Sequence, residues 1–436
     1  MTLLVISPDY ASHLLPLVTF AAAWQAAGED VVVATGPATD AIVAGAGMRR
    51  VELSLGRGAN GGVMRTDEQA AAEASSLAGF FAATREGMVP TLRYQAQERL
   101  TDLMWEPVDR ARRTLEIVDR LRPEHILVDH LAFSARLALH TAGIGYGDVV
   151  LGHPTALPVG EEVYGLPPYW PAAFQPGADE LAALRALCDR VATGFTAQWN
   201  AAASALDAGT KPVADAFAVR GGTVLYNYPE ELADGDGRVL PPHVFLGSAL
   251  RAESVPADVA AWLERPEPFV YVSFGSFLSV RADVLSRVVA ALRALGVRAA
   301  VATGASTIGE LGGPLPEDWL VRETLPQVAL LAQAAVAVTH GGNNSVTEAL
   351  ACGVPIVVLP FSTDQFAGAA ALERTGTGVA LDPNRADVRA IADAVRDRLP
   401  LAGPGRALLE RLRDDAARRP GADRAYAALT GGSDPD

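Results

Sequence analysis

Two doubly wound α/β domains, each a parallel sheet covered by helices, are what this sequence predicts, and three observations predict them. Short apolar strand-like runs alternate with helical runs in both halves of the chain. A stretch dense in Asp, Gly and Pro separates the two series. The chain has 436 residues, against roughly 100 to 200 per domain, so two cores are expected rather than one.

The first forty residues read as a strand at 3–6, a loop, an apolar helix at about 14–27 stopped by Gly28, and a second strand at 31–34, which is a βαβ unit. The pattern recurs as strand 125–128, helix 131–142 and Gly143. Between them GRGANGG at 56–62 and a polar, Ala-rich stretch to about Arg99 break the alternation, as insertions around a binding cleft do. A helical region from Gly152 to about Val219, interrupted by LPPYWPAAFQPG, leads to TVLYNYP, the expected last strand of the first domain. The strand signal restarts at 269–273 and continues at 298–303, 335–339, 356–359 and 378–381. The expected organisation is therefore an N-terminal domain at 1–228, a linker at 229–254, a C-terminal domain at 255–400, and at 401–436 a charged helix, which would pack back on the first domain, with a disordered tail.

Composition narrows the function. Half the residues are hydrophobic and 20% are charged, which excludes general disorder. Lys and Arg total 36 against 51 Asp and Glu, a net charge of −15 that repels nucleic acid and anionic lipid alike. Cys188 and Cys352 form no CxxC pair, so neither a disulfide framework nor a cysteine zinc site is indicated, and a reducing cytoplasm fits. No basic n-region precedes the first strand, so a signal peptide is not expected. The longest uncharged stretch, 324–347, holds Pro326, His340, Asn343 and Asn344 and does not suit a bilayer. Small molecules, not polymers or membranes, are the expected partners, and a homodimer remains open.

In open parallel sheets ligands bind beyond the carboxyl ends of the strands. There HGGNNSVTEALACGVPIVVLP carries a strand into a helix beginning near Asn344. Glycines permit close backbone approach, the first-turn amides are unpaired, and the Ser345 hydroxyl adds a donor, which together suit phosphate oxygens. A Gly-rich turn with an Asn or Ser cap is the plain alternative. Glu348, one turn on, would repel phosphate but suits a neutral diol such as ribose, the alternative being a solvated helix glutamate. Asp364 and Gln365, after strand 356–359, offer groups of the kind that bind sugar hydroxyls.

These residues carry a family resemblance. LPQVALLAQAAVAVTHGGNNSVTEALACGVPIVVLPFSTDQ resembles the donor-binding signature of GT-B fold, nucleotide-sugar-dependent glycosyltransferases of the plant and bacterial natural-product group. SFGS at 273–276 and GTGVALD at 376–382 extend the likeness. The resemblance implies that Gln327 approaches base and ribose and Glu348 takes the ribose hydroxyls. It sets Gly275, Ser276, His340, Gly342, Asn344 and Ser345 around the diphosphate, and Asp364 and Gln365 on the transferred sugar. Thr324 stands where the family usually has a base-stacking aromatic, which leaves uridine and thymidine donors (UDP- or TDP-sugar) both open. GGNNS differs from the GGAGT of deoxysugar-transferring antibiotic enzymes and favours a UDP-hexose.

In the first domain His13 opens a helix whose Pro16 fits the first turn, where the helix dipole disfavours the imidazolium. Asp129, ending strand 125–128, is positioned to orient that ring; the plain reading of His13 is a structural polar residue. The family uses such a His–Asp pair, although Ser12 replaces its usual Gly. His130 and Asp9 are neighbours that these roles fit less well. Phe80, Phe81, Tyr169, Trp170 and Phe174 are expected to line an acceptor pocket, with ordinary core as the alternative. Asp234-Gly235-Asp236 spells a metal-binding DxD but reads as a turn, and the histidines have no metal-ligand spacing, so no metal and no cofactor are expected. The implied activity is inverting, metal-independent hexosyl transfer to a hydroxyl or amine of a small natural product, with a nucleotide-sugar epimerase or a non-catalytic nucleotide-binding protein as rivals.

Overall fold

A computed structural model describes residues 1–62, 71–101, 103–233, 237–278, 280–399 and 402–431. The first sheet has seven parallel strands in the order β3-β2-β1-β4-β5-β6-β7. They are β1 (Thr2–Ile6), β2 (Asp30–Thr35), β3 (Arg49–Glu52), β4 (His125–Asp129), β5 (Gly147–Val150), β6 (Thr223–Tyr226) and β7 (His243–Phe245). The second has six, in the order β10-β9-β8-β11-β12-β13: β8 (Phe269–Ser273), β9 (Arg298–Ala302), β10 (Leu320–Arg322), β11 (Val336–Thr339), β12 (Ile356–Val358) and β13 (Gly378–Ala380). The expected GT-B architecture is borne out.

Burial explains the strand sequences. β1 (TLLVI) and β8 (FVYVS) are apolar almost throughout because helices cover both faces of each sheet. β1 sits between β2 and β4, with Ile6 opposite Ala34 and Val128, and β8 sits between β9 and β11. Strand order reverses at both positions, so the loops after β1, β4, β8 and β11 open into crevices at the carboxyl ends of the sheets.

Several expectations change. Residues 229–254 are not only a connector: helix Glu230–Ala233 and β7 lie there, and β7 extends the first sheet beside β6. At three residues β7 is too short for its apolar pattern to emerge from the surrounding Pro and Gly. The first helix runs Ala11–Ala26, one turn earlier than predicted, so Pro16 lies inside it and not in its first turn. Two helices, Ala71–Glu86 and Met88–Thr101, occupy the insertion after 62. Helix Gly421–Thr430 packs on the first helix, with Tyr426 edge-on to Trp24 at 5.0 Å and donating to Glu29 Oε1 at 2.9 Å. The tail at 432–436 and the DxD at Asp234 and Asp236 lie outside the described residues. No described helix is long and apolar enough to cross a membrane.

Candidate active site

The N-terminal wall is built by two neighbouring strands. β1 delivers the chain to helix Ala11–Ala26, whose first turn carries His13, while Asp129 is the last residue of β4. Their adjacency brings together residues 116 apart: His13 Nδ1 lies 2.7 Å from Asp129 Oδ2. Asp129 Oδ1 accepts the Leu131 amide at 2.8 Å, so both carboxylate oxygens are engaged. The Asp129 side chain is 1% exposed and that of His13 26%, so the dyad presents only its imidazole outward. With Nδ1–H held by Asp129, Nε2 of the neutral ring is the proton acceptor.

Burial opposes charge on His13, yet the Asp129 carboxylate, by charge and hydrogen bond, and Asp364 beyond it outweigh burial and hold the pKa above 6.5. This reverses the expectation that the helix start keeps the ring neutral. A surface helix terminus is worth about 0.3 to 1 kcal/mol, less than a carboxylate in direct contact. His130 turns away to Asp148, Nδ1 to Oδ1 3.2 Å, and Asp9 accepts from the Ala38 and Thr39 amides at 3.0 and 2.9 Å.

The C-terminal wall begins where β11 ends. His340, Gly341 and Gly342 lead into helix Asn343–Ala351, with Gly342 as an extended N-cap that turns the first-turn amides outward. Gly275 after β8 has φ +68°, and a Cβ there would stand 2.8 Å from the His340 ring, so glycine is required both for conformation and for space. Burial pushes His340 down to about 4, only partly offset by a hydrogen bond to the Ser273 backbone, so this ring is neutral at neutral pH. Ser345 and Gln327 face each other, Oγ to Oε1 3.5 Å, and Tyr271 donates to the same Gln327 oxygen at 3.2 Å. The Ser276 side chain lies outside the described residues.

Glu348 is not a solvated helix residue. Its side chain is 3% exposed, with Arg251 Nη1 2.5 Å from Oε1 and Gln327 Nε2 donating to Oε2 at 2.6 Å. Burial raises its pKa against the opposing pull of Arg251. Arg251 also contacts Glu253 at 2.6 Å, and Glu253 accepts the Val328 amide at 2.8 Å, at the start of helix Gln327–Leu331. Arg251 lies within the Asp-, Gly- and Pro-rich stretch 229–254 that the sequence marks as a linker, and no local pattern singles it out.

Asp364 and Asn344 are already committed across the interface. Asp364 Oδ2 accepts the His153 amide at 2.6 Å, and Asn344 Nδ2 donates to the Ser12 carbonyl at 2.8 Å. Gln365 is buried, its Oε1 accepting the Phe361 and Ser362 amides at 3.0 and 3.2 Å, so it shapes the loop rather than offering its amide to a ligand.

The walls enclose a cleft of about 680 Å³. His13, Asp129, Gly275, Gln327, His340, Gly342, Asn344, Ser345, Asp364 and Gln365 line it, as do Thr324 and Arg251; Glu348 stands behind Arg251 and Gln327. The five aromatics expected in the acceptor pocket do not line it. Phe80 and Phe81 are buried with Val270, Phe274 and Leu278 of the C-terminal core. Phe174 packs edge-on against Phe366 at 5.2 Å, Trp170 packs on the helical core nearby, and Tyr169 stands edge-on to His153. The apolar area of Phe80, Phe81 and Phe174 is used in joining the domains. Apolar lining on the N-terminal side of the cleft comes instead from Leu15, Leu131, Tyr164, Leu166 and Pro167. Among the described residues no group of three or more His, Cys, Asp or Glu is gathered as a metal site.

Comparison with known proteins follows the same division. The fold is that of GT-B glycosyltransferases: VinC, solved in complex with DTDP, superposes with a TM-score of 0.67 at 17% identity, covering 99% of both chains. Residues 287–427 match the family described as erythromycin biosynthesis protein CIII-like, C-terminal domain. The PGL/p-HBAD biosynthesis glycosyltransferase of Mycobacterium tuberculosis (strain ATCC 25177 / H37Ra) is 34% identical over 156 residues, 35% of each chain. The 4'-demethylrebeccamycin synthase of Lentzea aerocolonigenes is 34% identical over 204 residues, 45% of this chain and 46% of its own. The matched stretches thus span under half the length of these relatives. The resemblance to natural-product glycosyltransferases is borne out, in fold over the whole chain and in sequence over its C-terminal domain.

Proposed function

We propose that this protein transfers a hexose, with inversion, from a nucleoside diphosphate sugar to a hydroxyl or amine of a small, partly apolar acceptor. The observation that carries the reading is the His13–Asp129 dyad opening onto the same cleft as the helix start at Asn343. His13 Nε2 removes the acceptor proton as the acceptor atom attacks the anomeric carbon, and the diphosphate leaves from the opposite face. Asp129 stabilises the imidazolium so formed and does not itself take up the proton. First-turn amides and the Ser345 hydroxyl meet the developing negative charge from fixed positions, which costs no reorganisation at the moment of reaction. His340, held neutral, contributes a dipole and not a charge.

Gln327, backed by Glu348 and Arg251, forms the ribose end, and Thr324 leaves the base unstacked. The thymidine diphosphate bound to VinC supports a pyrimidine nucleotide donor, TDP- or UDP-linked. The acceptor side of the cleft favours a transferase over an epimerase, which needs no such space. The amides and hydroxyl make a divalent metal unnecessary.

The test is a thermal-shift panel of UDP, TDP and their glucose conjugates, followed by product analysis with phenolic acceptors. A ligand at about 100 times its Kd adds about 2.7 kcal/mol of stability. Stabilisation by a pyrimidine diphosphate and acceptor-dependent loss of its sugar conjugate are the expected outcomes; no shift with any of them contradicts the reading.

A further inference from the structure

A proline inside a helix leaves a carbonyl without its partner. Pro16 has no N–H to give the Ser12 carbonyl four residues earlier, and its ring pushes that carbonyl away from the helix axis. The orphaned oxygen belongs to the residue immediately before His13. It is taken by the other domain: Asn344 Nδ2, on the first turn of helix Asn343–Ala351, donates to it at 2.8 Å.

Asn344 is in turn held from behind. Its Oδ1 lies 3.4 Å from Asn227 Nδ2. Asn227 is fully buried just after β6, its Oδ1 accepting the Ala249 amide at 3.1 Å and its backbone carbonyl accepting Asn343 Nδ2 at 2.8 Å. The polar atoms of these side chains are thus spent on one another and on backbone that joins the two domains. A side chain freely available to a diphosphate would not carry this set of partners.

We infer that Asn344 is a positioning residue: through the carbonyl that Pro16 exposes, it locks the helix bearing His13 to the helix start that faces the leaving group, and so sets the base in register with the donor. The inference rests on the transferase reading for its consequence, not for its geometry. Register matters because a misplacement of about 1 Å at a reacting group costs about 100-fold in rate.

The charge state of His13 reports the lock without any turnover. Burial lowers the His13 pKa, and Asp129 and then Asp364 of the C-terminal domain raise it, so loosening the two domains changes both the burial and the Asp364 contribution and shifts that pKa. The experiment follows the His13 ring resonance by NMR against pH in Asn344→Ala, Pro16→Ala and the double variant. The resonance is assigned with His13→Gln, and folding is checked by circular dichroism melting. UDP and TDP affinities are measured calorimetrically on the same proteins.

Asn344→Ala is expected to shift the His13 midpoint while changing UDP or TDP affinity by no more than about twofold, since the contact removed is not to phosphate. Pro16→Ala, which returns the Ser12 carbonyl to its own helix, moves the midpoint in the same direction, and the double variant moves it no further than the larger single change. An unmoved His13 midpoint in folded Asn344→Ala overturns the inference. So does a strictly additive double variant, or a loss of diphosphate affinity with His13 unchanged. Absence of any UDP or TDP binding would count against the transferase reading alone, since the His13 titration needs neither.

Discussion

Each half of the molecule buries a carboxylate at the cleft and gives it a cation-forming partner, and the partners differ in kind. In the N-terminal half Asp129 holds His13, whose proton can come and go. In the C-terminal half Glu348 holds Arg251, whose charge is permanent. The first pairing can transfer a proton because its cation is titratable; the second can only hold shape and charge. In the proposed reaction, one doubly wound architecture, used twice, serves as a reaction wall and a binding wall according to which basic residue meets the buried acid.

The sharpest way to break this contrast is to remove each basic partner. His13→Ala should slow the chemical step by about 100- to 10,000-fold while nucleoside diphosphate affinity persists, measured by single turnover and calorimetry. Arg251→Met should act oppositely, mainly on stability and donor affinity. It leaves Glu348 buried without a cation, a loss of about 3 kcal/mol read by urea denaturation, and adding Glu348→Gln should return part of it.

Smaller effects sharpen the contrast. Asp364→Ala should weaken the sugar nucleotide by about tenfold while sparing the free diphosphate, because the family resemblance places this carboxylate, beyond its bond from the His153 amide, on hexose hydroxyls and not on phosphate. Equal losses for both ligands would remove it from the sugar site. The smallest expected effect is none: EDTA should leave initial rates unchanged, since amides and a hydroxyl, not a divalent ion, are assigned to the leaving group. A rate that EDTA abolishes and manganese restores would require a different leaving-group site.

The sequence disclosed the two walls unequally. His13 and Asp129 were found by rule, because residues just past neighbouring parallel strands must meet, however far apart in the chain. The helix start at Asn343 was legible for a similar reason, its glycines and Ser345 marking a strand-to-helix turn. Arg251 was not legible: it follows β7, whose three residues give no usable periodicity, and its pairing with Glu348 spans 97 positions. The aromatics were misassigned because hydrophobicity shows that a ring is covered but not by what. Phe80 and Phe81 are covered by the opposite domain's core, which no local pattern encodes. For His13 a helix-end argument weighs only the local dipole, whereas burial, the Asp129 carboxylate and, to a smaller extent, Asp364 of the other domain set the direction of its pKa.

The central claim, that a titratable partner makes the N-terminal wall the reactive one, is tested most directly by the pH dependence of kcat/KM in the wild type and in Asp129→Asn. A base whose pKa is raised is protonated and inactive below that value, so activity should be lost as the pH falls through a midpoint above 6.5 in the wild type. With asparagine the ring loses the carboxylate charge that stabilises its protonated form, and burial is no longer outweighed. The account predicts a slower enzyme whose acid limb has moved to lower pH. Identical acid limbs in the two proteins, or an Asp129→Asn variant with undiminished turnover, would contradict it.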